Sequence, residues 1–377
     1  MKHCFLVLAL LVLPAAAQEQ KQHFTINVGT PEGQLLQAIG TEPDDDKKAL
    51  LCVDFLDKYP KHEGAGWVTA QLQAVYVKEK DFDKAIEAGE KALVNDPNNL
   101  DVAYYGVKAA EGKEDPALVK TWATRTFALA HKEMATFKAP ADEDEKLHQQ
   151  YVKDVNNYAG YAVYATALKI RDPKEIADLG ATLEQQDIKS QYMPQLSGTY
   201  LNALSQSGQA GKMCPTAEKL AAANSKDGEA LLAAASCSLQ RQKFEAASAH
   251  ATRAIEAINA RSKPEGVSDA DWASKRAAQL GRANYVAGVA YGAQSRFGPA
   301  DKALRVALPS LKGDSASTAV ALFYLGLSNY NLGKAIGDKS RIREGLHYFE
   351  QCAEISSSVQ AQANNNIRII KGELGVK

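Results

Sequence analysis

Three stretches of this chain repeat one spacing: Phe82, Ala85, Gly89 and Ala92; Phe244, Ala247, Ala251 and Ala254; Phe297, Ala300, Leu304 and Ala307. Offsets of three and four residues put the last three members of each set on one helical face. Two of those three are small in every set, or all three, so the face is built for close approach of a second helix rather than for a bulky core. Ahead of the third set runs Asn284, Tyr285, Ala287, Gly288 and Tyr291, a first helix whose aromatics fill the gap that the small residues leave. The first two sets lie 162 residues apart, so the unit recurs. A chain of recurring helix pairs stacks unit on unit and buries a continuous seam instead of one central core.

Such pairs can be placed along most of the sequence. Leu72 and Tyr76 precede the first set, and Pro97 closes its unit. Tyr104, Tyr105 and Gly106, then the break Asp115-Pro116, then Trp122 and Phe127, form the next. The acidic run from Asp142 to Glu145 starts a helix, where carboxylates meet the positive end of the macrodipole, and that helix carries Tyr158, Tyr161 and Tyr164. Further pairs span about 190–224 and 228–260. A linker around Pro264 and Gly266 then delays a long first helix from about Asp269. Tyr324, Leu325, Gly326 and Tyr330 mark the last pair, with 333–339 expected as a long turn and a helix from about Val359 to Leu374 as the cap. Residues 47–59 read as a half repeat that starts the stack, and 18–46, broken by Gly29, Pro31, Gly33, Gly40 and Pro43, as a flexible leader with at most a short helix near Gly33.

These units resemble the tetratricopeptide-repeat (TPR) family, and the linker and the FYLGLSNYNLG block are similar to exported bacterial members of unassigned function. The resemblance implies an all-α solenoid over 47–375: a right-handed superhelix of antiparallel helix pairs whose groove, lined by first helices, holds a protein partner. The Lys, Arg and Asn residues with which some members clamp a carboxylate are replaced here by Ala70, Ala74, Leu232, Ser236, Tyr285, Val289, Phe323 and Leu327. Trp67, Arg282, Tyr285, Phe323 and Tyr330 are the groove residues expected to anchor a partner, because Trp, Tyr and Arg carry much of the energy of interfaces.

Residues 1–17, MKHCFLVLALLVLPAAA, read as a secretory signal peptide cleaved before Gln18: a basic start, about ten apolar residues, then small ones. Spanning a bilayer takes about twenty apolar residues, so a membrane span is not expected. The mature protein is placed in the periplasm or outside the cell. There Cys214 and Cys237, on neighbouring helices, can form a disulfide. With 44 basic and 45 acidic residues the net charge is -1, which supplies no field for nucleic acid.

No Gly-rich phosphate loop, Cys-x-x-Cys pair or His pair at metal-binding spacing occurs, so no catalytic, cofactor-binding or metal residue is expected and the chain reads as non-enzymatic. The expected function is a protein-binding scaffold of the cell envelope. The alternative is a groove that binds a small molecule or saccharide, with Tyr158, Tyr161 and Tyr164 stacking on a ring, or an accessory subunit of an envelope enzyme.

Overall fold

The computed structural model describes residues 26–263 and 266–375. The signal-peptide segment and residues 18–25 of the leader lie outside them. Among the described residues every regular element is helical. The chain divides into two compact units, the first ending at Ala203 and the second beginning at Leu204.

The first unit contains α1 (Pro31–Thr41), α2 (Asp45–Lys58), α3 (Ala65–Lys78) and α4 (Phe82–Asn95). It continues with α5 (Leu100–Gly112), α6 (Pro116–Met134), α7 (Glu143–Lys169), α8 (Pro173–Asp187) and most of α9 (Met193–Gln206). The second unit contains α10 (Ala210–Ala223), α11 (Gly228–Gln240), α12 (Phe244–Ala260), α13 (Asp269–Ala293) and α14 (Phe297–Ala307). A 3-10 turn at Leu308–Leu311 follows, then α15 (Ser315–Ile336), α16 (Lys339–Ala353) and α17 (Gln360–Leu374).

Helix starts are set locally. The side chains of Asp44, Asp81, Asp115, Asp142, Asp172, Asp227, Asp314 and Asp338 each accept a hydrogen bond from a backbone N–H of the helix they precede. This satisfies donors that have no partner inside the helix.

The turns inside the pairs share one backbone form. Lys80, Glu114, Gln242 and Ser295 have positive φ, as do Gly208 and Gly337, and each stands two residues before the second helix of its pair. In every case the following N–H reaches back five residues to a carbonyl: Asp81 to Tyr76, Asp115 to Ala110, Gln209 to Leu204, Lys243 to Ser238, Arg296 to Tyr291 and Asp338 to Gly333. That is the Schellman ending of a helix, repeated six times.

Neighbouring helices pack in chain order within each unit, and first helices also lie beside first helices. Thus α3 touches α5 and α5 touches α7, while α11 touches α13 and α13 touches α15. Each unit is therefore a solenoid of helix pairs with a layer of first helices. The apolar interior is a series of local clusters. One joins Leu36, Ile39, Cys52, Phe55 and Val68; another joins Leu100, Ala130, Val152 and Val155; a third joins Leu322, Phe349 and Ile370. The residues that define the repeat are buried as well: Ala85, Ala92, Ala247, Ala251, Ala254, Ala300, Leu304 and Ala307 are at most 1% exposed.

Two boundaries differ from expectation. The array starts at α1, not at residue 47: Thr30 caps an eleven-residue helix whose Leu36 and Ile39 are buried against Phe55 and its neighbours. The Gly and Pro residues read as breaking this stretch sit at the ends of α1 and of its turns or, in the case of Gly33, inside its first turn. The stretch 333–339 is also not a long turn. Helix α15 runs on to Ile336 and ends at Gly337 in the left-handed conformation. Gly333 lies within the helix where α16 passes close by, with the Ile342 side chain 2.8 Å from where a Cβ would stand. Helix α17 packs on α16 at the C-terminal end, with Ala363 and Ile370 buried.

Candidate functional site: a tyrosine row on first helices

The first-helix layer of the first unit carries seven tyrosines in mutual contact. Helix α7 is long enough to display four of them, and its start explains its persistence. Asp142 accepts from the Glu145 N–H at 2.8 Å, and the Glu145 side chain accepts from the Ala141 N–H at 2.7 Å, a reciprocal cap. Along α7, Tyr151 and Tyr158, seven residues apart, meet Tyr104 of α5, and Tyr161 and Tyr164 follow toward Tyr192.

Tyr104 of α5 meets Tyr151 edge-on at 6.5 Å and Tyr158 edge-on at 5.2 Å between ring centroids. Tyr105 lies beside Tyr104 at 5.6 Å. The row continues from Tyr158 to Tyr161 at 6.0 Å, then to Tyr192, just ahead of α9, at 5.8 Å. Tyr192 and Tyr164 stack at 5.6 Å with their planes 22° apart. All seven rings are half-buried.

Charge is confined to one end. The Lys108 ammonium lies 4.6 Å from the centroid of Tyr104, 5.7 Å from Tyr158 and 5.9 Å from Tyr105, over the electron-rich ring faces. Lys108 makes no ion pair among the described residues. The Tyr158 hydroxyl donates to Glu111 at 2.6 Å, and the Tyr151 hydroxyl donates to Asp101. Burial, reinforced by these carboxylates, pushes the Tyr151 and Tyr158 phenols well above the usual tyrosine range. Tyr105 is pushed up to about 12, chiefly by burial and then by the Asp101 charge. Tyr161 and Tyr192 are raised mainly by burial. The hydroxyls of Tyr161 and Tyr164 donate to nothing among the described residues. At one end the rings are locked by hydrogen bonds, and at the other they keep polar tips to offer.

The sequence alone points to Tyr158, Tyr161 and Tyr164 for ring stacking. Lys108, Tyr192 and the link to Tyr104 were missed. Tyr104 and Lys108 are one helical turn apart, but nothing in that spacing says that α7 will lie alongside.

Of the five residues expected as partner anchors, Trp67 belongs to the first unit and the other four to the second, where Phe323 and Tyr330 pack against one cluster. Trp67, in the first unit, is half-buried against the cluster around Leu36 and Phe55. Tyr285 packs near Leu304 and Leu325, and burial raises its phenol. Phe323 meets Phe349 edge-on at 5.7 Å, and the Tyr330 hydroxyl donates to Glu373 of α17 at 2.9 Å. Three of the four aromatics thus serve contacts between helices of the second unit. Only Arg282 is exposed. Cys214 of α10 and Cys237 of α11 form a disulfide with Cα atoms 5.7 Å apart.

Two open hollows lie elsewhere. One of about 360 Å³, against α12 and α13, is lined by residues including Thr252, Arg253, Tyr291 and Arg296. The other, about 470 Å³, lies among α2, α3 and α4 beside Leu72, Tyr76 and Lys84. Neither includes a residue of the tyrosine row. Among the described residues no group of three His, Cys, Asp or Glu side chains is placed to hold a metal ion, and no helix is long and apolar enough to cross a membrane.

The six identical turns, the small residues at the helix crossings and the layer of first helices decide the architecture. The repeat fold is TPR-like. No family model matches the chain, and no curated protein does. Among solved structures it is similar to the crystal structure of yeast Tom70, with 12% identity over 91% of this chain and 95% of that one and a TM-score of 0.20. A superposition at that level carries no argument, and the TPR-like assignment rests on the turns and helix pairings.

Proposed function

We propose that the protein is a non-enzymatic scaffold that holds a segment of a protein partner along the first-helix layer of its first unit. The observation that carries this reading is the tyrosine row on α5, α7 and the approach to α9. Tyr151 and Tyr158 are held by hydrogen bonds and the other rings pack against one another, so less side-chain freedom remains to be lost on binding than for isolated rings. A solenoid presents such a row as an extended surface rather than an enclosed pocket, which suits a length of chain. Arg282, exposed on α13, is a proposed contact in the second unit.

The site of action in this proposal is the periplasm or the exterior, after removal of residues 1–17. The apolar segment followed by Ala15, Ala16 and Ala17 supports it, and so does the Cys214–Cys237 disulfide, since such bridges persist in oxidising compartments.

Panning a random-peptide library against the purified mature chain tests the scaffold role. Selected peptides are expected to slow amide hydrogen exchange in α5 and α7 and to lose binding in a Tyr161→Ala, Tyr192→Ala variant. Failure to select any peptide, or protection confined to other helices, would remove the tyrosine row from the function.

A further inference from the structure

The tyrosine row has a donor and acceptor balance that selects among peptide chemistries. Each carboxylate beside the row accepts one of its hydroxyls: Glu111 takes that of Tyr158 at 2.6 Å, and Asp101 takes that of Tyr151. Other donors are not engaged: the Tyr161 and Tyr164 hydroxyls have no acceptor among the described residues, and the Lys108 ammonium faces only rings. A fitting ligand therefore brings carbonyl oxygens and flat apolar groups to lie on rings. Asp101 and Glu111, which hold the Tyr151 and Tyr158 hydroxyls, disfavour an acidic segment.

Proline-rich chain in the polyproline II form has these properties. It lacks backbone N–H groups, makes no internal hydrogen bonds, leaves its carbonyls free, and presents a ring to one side about every 9 Å. Grooves lined by aromatic side chains recognise such segments because the ligand is already extended and loses little entropy on binding. The row also spans three helical elements, longer than a single sugar ring needs.

We infer that the row from Tyr104 to Tyr164 is a binding site for a proline-rich segment, with prolyl rings lying on Tyr161, Tyr164 and Tyr192 and carbonyls accepting from the Tyr161 and Tyr164 hydroxyls and from Lys108. This deepens the scaffold reading and rests on it.

Calorimetric titration of the intact mature chain tests the assignment, using an acetylated oligoproline of about ten residues, long enough for three turns. An amphipathic helical peptide and a chitin oligosaccharide are titrated in parallel. Saturable binding of oligoproline is expected. Tyr161→Ala combined with Tyr192→Ala should weaken it at least about fivefold, as loss of an interface anchor does. Tyr161→Phe combined with Tyr164→Phe keeps the rings and the packing and removes only the donors, so it should weaken binding about two- to tenfold. An unchanged helical circular dichroism spectrum verifies that both variants fold.

Absence of saturable oligoproline binding overturns the assignment, as does binding that neither variant weakens. If the helical peptide binds in a tyrosine-dependent way instead, the proline assignment fails and the scaffold reading stands. If only the oligosaccharide binds at the tyrosines, both fail.

Discussion

The indole of Trp122 on α6 lies flat against Gly106 of α5, leaving no room for a Cβ at position 106. Trp122 is fully buried, and the Arg125 guanidinium covers its ring at 4.8 Å. The largest side chain of the interior and the smallest residue thus fit into one helix crossing. Replacing Gly106 with Ala is expected to force the indole or the helix aside and to cost about 1–3 kcal/mol, the usual penalty for overpacking. Urea denaturation followed by circular dichroism measures it, and a stability equal to that of the parent would refute the close fit.

Asp301, 9% exposed, is the hub of a polar network in the second unit. It accepts from Arg305 Nε at 2.9 Å, Asn329 Nδ2 at 2.7 Å and an Arg341 guanidinium nitrogen at 3.1 Å. Asp301→Ala leaves these donors around an empty space. Both arginines are about a third or more exposed, so solvent screens part of the loss. A destabilisation of about 1–3 kcal/mol is expected. Asp301→Asn should recover part of it, because one acceptor oxygen remains. Comparing the two variants by denaturation separates the hydrogen-bonding role from simple packing.

The Cys214–Cys237 bridge closes a segment of 23 residues over the turn between α10 and α11. Converting both to Ala removes a constraint on the unfolded chain and should cost about 3 kcal/mol on the loop-entropy argument. Parent protein treated with reductant should fall to the same midpoint as the double variant. Equal midpoints for oxidised and reduced parent protein would show that the bridge contributes nothing.

Gln242 holds a left-handed backbone conformation with φ 56°, which its Cβ disfavours. Gln242→Gly relieves that strain and loses some of the benefit to unfolded-chain entropy, for a net gain of about 0.5–1 kcal/mol. At Gly208, φ 77° in the equivalent position of its own turn, Ala should have the opposite effect, a loss of about 1 kcal/mol. Melting temperatures that move in the same direction for both would contradict the shared turn.

Alkaline pH should loosen the first unit. Burial pushes the Cys52 thiol from 9.0 to about 12 and the Tyr105 phenol from 10.0 to about 12, with Tyr151 and Tyr158 raised further. Each folded value lies above the unfolded one, so above pH 9 the native state holds more protons than the unfolded chain. The associated stability is complete below about pH 9, the unfolded thiol value, and is lost as pH rises through the folded values near 12. Ultraviolet titration of tyrosinate is expected to show a group of phenols that stay protonated above pH 10 and ionise together with the loss of helix. Ionisation of every tyrosine near pH 10 with the helix intact would overturn it.

The residues that were legible in advance are those whose role is local. Ala85, Gly89 and Ala92, with their counterparts in α12 and α14, announced the helix crossings because small side chains at offsets of three and four are a property of one helix. The acidic run from Asp142 announced a helix start because a cap acts on the next two or three residues. The common left-handed turn was hidden, since Lys80, Glu114, Gln242 and Ser295 share a conformation and no chemistry. The linker glycines misled at the N-terminus, where Leu36 and Ile39 form a helix that a flanking cluster stabilises.

By itself, then, the sequence determined that this protein is a stack of helix pairs and where most pairs begin and end, because period, caps and small-residue faces act over a few residues. Tertiary structure alone decided which neighbours each aromatic meets. Tyr285, Phe323 and Tyr330 are occupied by neighbouring helices, whereas Tyr104, some fifty residues from its partner Tyr158, gains the tyrosine row because α5 and α7 lie side by side. That adjacency depends on how each pair is rotated against the next, a sum of many packing contacts that no single stretch of sequence encodes.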